Sequence, residues 1–349
     1  MLHAFRSVSA PSSDTGLGES LLMAVLISGA GYIGSHMMLG LLDNGEDVLV
    51  IDDLSTGFRW AVPVEARFVE GSVGDYELVR GLMRDNRIDA VIHFAGSVVV
   101  PESVKEPLHY YLNNTCASRS LIACAVEAGA HFIFSSTAAV YGMSKSPVGE
   151  DDETRPVSPY GSSKLMTETI LRDAATAHGL SYVVLRYFNV AGADPAGRTG
   201  QSTANATHLI KVAVQAALGE RSYVEVYGSD YPTRDGTCLR DYIHVADLVS
   251  APVAALEYLR SGGQGQVLNC GYGRGSSVLE VIAAVERAAA KHIPIRMGER
   301  RPGDMAVLVA KADRIKQVLG WRPQYDDLET IVQHALAWER KLAARDLAA

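Results

Sequence analysis

Residues 25–52 read VLISGAGYIGSHMMLGLLDNGEDVLVID, and the order of residue types in this stretch decides the fold class. Val25–Ser28 is a short apolar run that meets glycines at Gly29, Gly31 and Gly34. An amphipathic stretch over 36–42 closes at Asn44-Gly45. Val48-Leu49-Val50-Ile51 is then a second buried strand that ends at Asp52. Strand, glycine turn, helix, strand and acidic residue is the order of a dinucleotide-binding unit. The glycines let the backbone approach a pyrophosphate at the helix N-terminus, and the carboxylate accepts from the adenosine ribose hydroxyls. A glycine triplet alone is common in loops; its surroundings give it weight. A carboxylate at Asp52 would repel a 2′-phosphate, so the pattern favours NAD over NADP.

The same rhythm continues outward. Strand-like runs fall at 66–69, 90–94, 132–135 and 182–185, with helix-like stretches at 75–85, 103–128 and 159–178. Apolar, β-branched strands alternating with helices predict a parallel sheet covered on both faces, an α/β doubly wound fold of Rossmann type. After Asn189 the pattern loosens into turn-rich segments at 192–204 and 227–240, then resumes at 242–270 and becomes mostly helical from Ser277. This predicts a cofactor lobe from 23–188 plus about 242–270, and a smaller α/β substrate lobe from about 189–241 plus 271–349. Residues 1–22 are rich in Ser, Gly and Pro and lack the apolar core of a secretory signal, so they read as a disordered extension ahead of Met23.

With 349 residues, 48% hydrophobic and 21% charged, the chain is long enough for a large core. Its net charge of −8 argues against nucleic-acid or anionic-membrane partners. No apolar run reaches the length of a membrane span. Cys116, Cys124, Cys238 and Cys270 show neither a CxxC pair nor zinc-like spacing; they read as reduced core thiols of a cytoplasmic protein with no metal site.

Tyr160-Gly-Ser-Ser-Lys164 follows Pro159 at the start of a predicted helix, where i and i+4 share a face. A free tyrosine, with a pKa near ~10, is a poor base at neutral pH, but a nearby ammonium favours its phenolate. Ser135-Ser136-Thr137 ends a strand-like run, which puts hydroxyls at the carboxyl edge of the sheet, within reach of Tyr160 and a substrate oxygen. His93 reads as a packed strand histidine. The small residues after it, in Phe94-Ala95-Gly96, would let a flat ligand lie close to the backbone.

In this order these elements resemble the extended short-chain dehydrogenase/reductase family, and within it the epimerases that act at C4 of a UDP-hexose. The resemblance covers nearly the whole chain from Met23. It is carried by GYIGSH (31–36), VIHFAG (91–96), ESVKEPLHYYLNN (102–114), FIFSSTAAVYG (132–142), SPYGSSKLMTE (158–168), LRYFNVAGADPAG (185–197), DYPTRDGTCLRDYIHVADL (230–248) and RPGD (301–304). It implies that Tyr160 is the base, that Lys164 tunes it and holds the nicotinamide ribose, and that Thr137 assists proton transfer. Implied cofactor contacts are Gly29, Gly31, Tyr32, Ile33, Gly34, Asp52, Phe94, Ala95, Gly96, Asn113 and Tyr187, besides Lys164. Implied substrate contacts, besides Thr137 and Tyr160, are Asn189, His208, Leu209, Arg240, Arg301 and Asp304. The activity implied is interconversion of UDP-glucose and UDP-galactose through a 4-keto sugar on tightly held NAD, in a homodimer. From the residues alone, Arg240 could instead pair with Asp241 or Asp247.

The chain departs from the family in places. The family has Gly-x-x-Gly-x-x-Gly after a threonine; here the run from Ser28 to Gly34 is one glycine short of that pattern. Either Ser28 stands where a glycine belongs, or the turn is tightened to Gly-x-Gly-x-x-Gly. Ser72, Val98 and His208 stand where aspartate, lysine and asparagine are common, and Leu308 lies where residue size gates N-acetylated sugars. Ala138 and Ala139 follow Thr137 where dehydratases carry an acid, which argues against dehydration. UDP-glucuronate, UDP-pentose or UDP-N-acetylhexosamine epimerases remain as alternatives, and intact Tyr160 and Lys164 argue against a non-catalytic NAD sensor.

Overall fold

Seven strands hydrogen-bond into one sheet in the computed structural model, which describes residues 23–203, 206–301 and 303–346. They are β1 (Ala24–Ser28), β2 (Asp47–Asp52), β3 (Arg67–Glu70), β4 (Ile88–His93), β5 (His131–Thr137), β6 (Tyr182–Tyr187) and β7 (Gln266–Cys270). Their spatial order is β3-β2-β1-β4-β5-β6-β7, and each neighbouring pair is parallel. The doubly wound sheet expected from the sequence is therefore present. The extension expected at 1–22 lies outside the described residues.

Alternation along the strands feeds two cores. Val25 and Ile27 of β1 face one side, where α1 (Tyr32–Asp43) and α6 (Val245–Arg260) bring Met37, Met38, Leu41, Leu248 and Leu256. Ala24 and Leu26 face the other, against α2 (Tyr76–Asp85), α3 (Ala117–Ala128) and α4 (Pro159–His178). With both faces covered, a strand has no polar side to show water, which is why these runs read as continuous apolar stretches. A third core joins α5 (Leu209–Leu218), α7 (Val278–Ala289) and α8 (Leu328–Asp346) to the strand Val224–Tyr227. Its strands are short and scattered, such as the parallel pairing of Asn189–Ala191 with Tyr242–His244.

The continuous helix expected over 103–128 is broken. Val100–Lys105 stops at Glu106, Pro107–Tyr110 restarts, and a π-helical turn, Tyr111–Cys116, leads into α3. Pro107 has no amide hydrogen and disfavours helical backbone before it, and Glu106 sits at φ −123°, ψ 57°. Cys116, expected in the core, is exposed; the other three cysteines are buried and all four are unpaired.

Two contacts seal the seam between the sheet lobe and the helical lobe. Arg198 forks onto Asp43 at 2.9 Å and 2.9 Å while also bonding Asp194. Trp60 stacks on Trp338 of α8 at 6.3 Å between centroids, and the Arg345 guanidinium lies 3.9 Å from the Trp60 ring centroid.

Candidate active site

The glycine turn starts at Gly29, because Ser28 is still paired as the last residue of β1. The glycines of the turn are thus Gly29, Gly31 and Gly34, with Ser28 held in the strand. Gly29 has φ +102°, and a Cβ there would lie 2.8 Å from the Ala95 nitrogen. A Cβ at Gly34 would lie 1.9 Å from the Gly29 oxygen, so helix and turn pack backbone to backbone. At Gly31 a Cβ would meet nothing within 4 Å. That open face is the N-terminus of α1, which has no side-chain cap, and its first amides point where a pyrophosphate binds.

Asp52 closes this cradle. Its carboxylate accepts from the amides of Ala30 and Leu54, both at 2.6 Å, tying the glycine turn to the loop after β2. Each carboxylate oxygen has lone pairs left for a ribose hydroxyl. On the next strand, the Phe94 and Ala95 amides both donate to the Ser28 carbonyl at 2.9 Å, and Gly96 takes φ +150° against the Asn114 side chain. Asn113 donates to Ser97 Oγ at 3.0 Å. The Tyr187 hydroxyl is buried without a hydrogen-bond partner among the described residues, as a group left for a ligand would be. Tyr32 donates its phenol to the Gly192 carbonyl at 2.7 Å and Ile33 packs on the core, so both offer main chain to the cradle. An open helix terminus, a backbone-close turn and an acidic strand end fit NAD.

The catalytic candidates sit where α4 meets the carboxyl end of β5. Ser158 caps the helix by accepting from the Gly161 amide at 3.2 Å, and Pro159 occupies its first position. Lys164 is buried, and its ammonium donates to the Ser135 carbonyl at 3.0 Å over the Phe134 ring. Burial pushes that ammonium down to about 8. Burial raises the Tyr160 phenol above its ordinary value, while a hydrogen bond with the Thr137 hydroxyl pulls it back down. Thr137 Oγ1 also accepts from the Ala139 amide at 3.1 Å, which fixes its rotamer. Ala138 and Ala139 add no acid to this corner.

The substrate candidates form two groups. Asn189, His208 and Leu209 line one cleft with Gln201, Lys211 and Tyr242. His208 lies 2.7 Å from the Gln201 amide, and burial lowers its pKa, leaving the imidazole neutral. Arg240, Arg301 and Asp304 form the second group. The Asp304 carboxylate bridges Arg240 at 3.4 Å and Arg301 at 2.8 Å. Arg240 therefore does not pair with Asp241 or Asp247. Asp241 accepts from the amides of Tyr272, Gly273 and Ala310, and Asp247 from the Tyr272 phenol and the amides of Gln324 and Tyr325.

Several residues escaped the sequence reading. The Tyr227 ring lies 4.7 Å under the Arg301 guanidinium. His93, by contrast, is the packed strand histidine expected, wired between Ser28 of β1 and Ser118 of α3. Ser118 donates to the Asn114 carbonyl, so its oxygen accepts from His93 Nε2–H, and His93 Nδ1 accepts from Ser28. Burial pushes His93 down to about 3, so it stays neutral. Glu168 and Arg186 form a buried ion pair beneath the catalytic corner. An arginine within the apolar run YVVLRY was the available signal, since a buried guanidinium needs a partner.

Comparison with known proteins agrees with this geometry. Residues 25–271 match the NAD dependent epimerase/dehydratase family. The UDP-glucose 4-epimerase of Azospirillum brasilense is 57% identical over 320 residues, which is 91% of this chain and 92% of that one. The crystal structure of UDP-glucose 4-epimerase from Brucella ovis in complex with NAD superposes with a TM-score of 0.88 at 43% identity, covering 90% and 98% of the two chains. That from Bifidobacterium longum in complex with NAD+ and UDP gives 0.86 at 37%, covering 91% and 98%.

Proposed function

The chain belongs to the NAD dependent epimerase/dehydratase family, and on that premise we propose that it inverts C4 of a UDP-hexose, interconverting UDP-glucose and UDP-galactose. One observation carries this beyond membership: Tyr160 shares a helix face with Lys164 beside the Thr137 hydroxyl, which lowers its phenol, and the alanines after Thr137 offer no acid for dehydration.

Tyr160 as phenolate accepts the proton of the C4 hydroxyl, and Thr137 holds both oxygens in line. Lys164 supplies the positive charge that offsets the burial of Tyr160. Bound NAD, held by the cradle and Lys164, would supply the hydride acceptor and donor that inversion at C4 requires. Tyr160 gives its proton back to the re-formed hydroxyl. Between these events the flat 4-keto sugar must turn over while the nucleotide stays tethered. Arg240 and Arg301 suit the diphosphate charge, Asp304 suits the uridine ribose hydroxyls, and Asn189, His208 and Leu209 enclose the remainder. The cofactor contacts are those of the cradle: Gly29, Gly31, Tyr32, Ile33, Gly34, Asp52, Phe94, Ala95, Gly96, Asn113, Lys164 and Tyr187.

Residues 23–188 and about 242–270 form the NAD lobe of this reading, and about 189–241 and 271–349 the UDP-sugar lobe; the separate helical core supports the division, although Ile315 and Trp321 of the latter pack into the sheet core. The protein works as a homodimer. Val104, Leu108 and Leu112 recur every fourth residue with exposures of 62, 80 and 66%, and exposed Met166 lies on α4. A second copy would cover such a face as part of a helical bundle. Four unpaired cysteines suit the reducing cytoplasm.

The test is a time course of UDP-galactose conversion by the purified protein, with and without added NAD, followed by sugar NMR. Conversion to UDP-glucose is expected without added NAD. Absence of conversion under both conditions would overturn the reading.

A further inference from the structure

Behind the catalytic corner lies a hydrogen-bonded pair of buried charges. Glu168 and Arg186 meet at 2.7 Å with side chains only 6% and 6% exposed. The pairing is bidentate, since Arg186 Nε also donates to Glu168 Oε1 at 3.1 Å. Arg186 also donates to the Tyr141 phenol at 3.0 Å and the Glu150 carbonyl at 3.2 Å. Tyr141 in turn donates to Asn269 Oδ1 at 2.6 Å, reaching β7. The remaining donor to Glu168 is Ser136, whose hydroxyl lies 2.5 Å from Oε1.

Three consecutive residues at the end of β5 thus each act on one residue of a single stripe on α4. The Ser135 carbonyl holds Lys164 and Ser136 holds Glu168, while the Thr137 hydroxyl acts on Tyr160, lowering its phenol. Positions 160, 164 and 168 lie one turn apart, so fixing Glu168 fixes the axial position of the other two. Burying two charges returns little net stability compared with apolar residues of similar volume, so stability alone does not account for the pair. It also removes a competitor. A free Glu168, four residues after Lys164 on the same face, would draw the ammonium away from Tyr160; saturation by Arg186 prevents that.

We propose that Ser136, Glu168 and Arg186 are positioning residues for the reaction. They dock α4 on β5 in the one register that brings Tyr160 to Thr137 and leaves the Lys164 ammonium free for the site. The proposal rests on Tyr160 being the base of the epimerase reading.

The test uses the NAD-loaded protein and UDP-galactose. Ser136→Ala cuts the docking bond and leaves the ion pair whole. It should lower kcat by about 10- to 100-fold, the cost of a small misplacement, with KM within about twofold. The rising limb of the pH profile should move to higher pH, because Tyr160 loses its aligned bond from Thr137. Ser136→Thr, which keeps the hydroxyl, should restore both. The double variant Glu168→Leu/Arg186→Met removes both charges together, so neither is left buried alone, and should reproduce the loss with no further drop when Ser136→Ala is added. Tyr160→Phe run alongside keeps the two ideas apart. If it is inactive while Ser136→Ala and the double variant keep the parent kcat and pH limb, the positioning proposal is overturned and the epimerase reading stands. If it retains turnover, the base assignment itself fails.

Discussion

At Tyr160 two influences oppose each other: burial raises the phenol and the Thr137 hydroxyl lowers it. The base must ionise to act, so the rate should rise with pH through its pKa. Thr137→Val removes the lowering influence. A hydrogen bond to a charged group is worth about 1.5–3 kcal/mol and one pKa unit about 1.4 kcal/mol, so the rising limb of kcat/KM should move up by about one pH unit or more. A pH–rate profile with the limb unmoved would remove Thr137 from the proton path. Asp52 carries a second expectation at this scale. Asp52→Ala should weaken NAD by about tenfold or more and narrow the preference over NADP, as read by titrating cofactor-stripped protein. Tyr160 and Lys164 were legible because a four-residue spacing within one helix is written along the chain. Glu168 and Arg186 were not, because their pairing joins a helix to a strand and no local pattern records which acid an arginine will meet.

The elements that a single period describes were the legible ones. Strands β1, β2, β4 and β5 and helix α4 fall within a few residues of their expected bounds, since burial on both faces writes a long apolar run and Ser158-Pro159 writes a helix start. The stretch from 103 to 128 misled because its amphipathic pattern runs on through Pro107 and the π-helical turn, where backbone chemistry rather than side-chain polarity decides. The glycine turn gives an expectation at this scale. At φ +102° and 2.8 Å from the Ala95 nitrogen, Gly29 has no room for a methyl group. Gly29→Ala should cost about 1–3 kcal/mol of backbone strain alone, lowering the melting temperature and the NAD content of the purified protein. An unchanged Tm with full cofactor would mean the turn can relax. The exposed Val104, Leu108 and Leu112 give another: if the proposed homodimer uses them, Leu108→Glu/Leu112→Glu should lower the mass read by light scattering from dimer to monomer, and an unchanged mass would remove this face from the dimer proposal.

Taken as a whole, the molecule is a regular sheet lobe joined to an irregular helical one, and that contrast explains what the sequence could convey. A parallel sheet repeats one local pattern; the second lobe is assembled from two- to four-residue strands whose partners lie far away in the chain, such as Leu239–Arg240 between Ser276–Ser277 and Val307–Leu308. Two of the chain's three tryptophans, Trp60 and Trp338, are stacked across the seam between the lobes. The third, Trp321, is buried and donates its indole N–H to the Asp247 carbonyl at 3.0 Å. The molecule therefore carries its own optical gauge: emission from the stacked Trp60 and Trp338 should report any change at their contact without any added label, against the background of buried Trp321, and Trp60→Phe should remove the part that depends on their stacking.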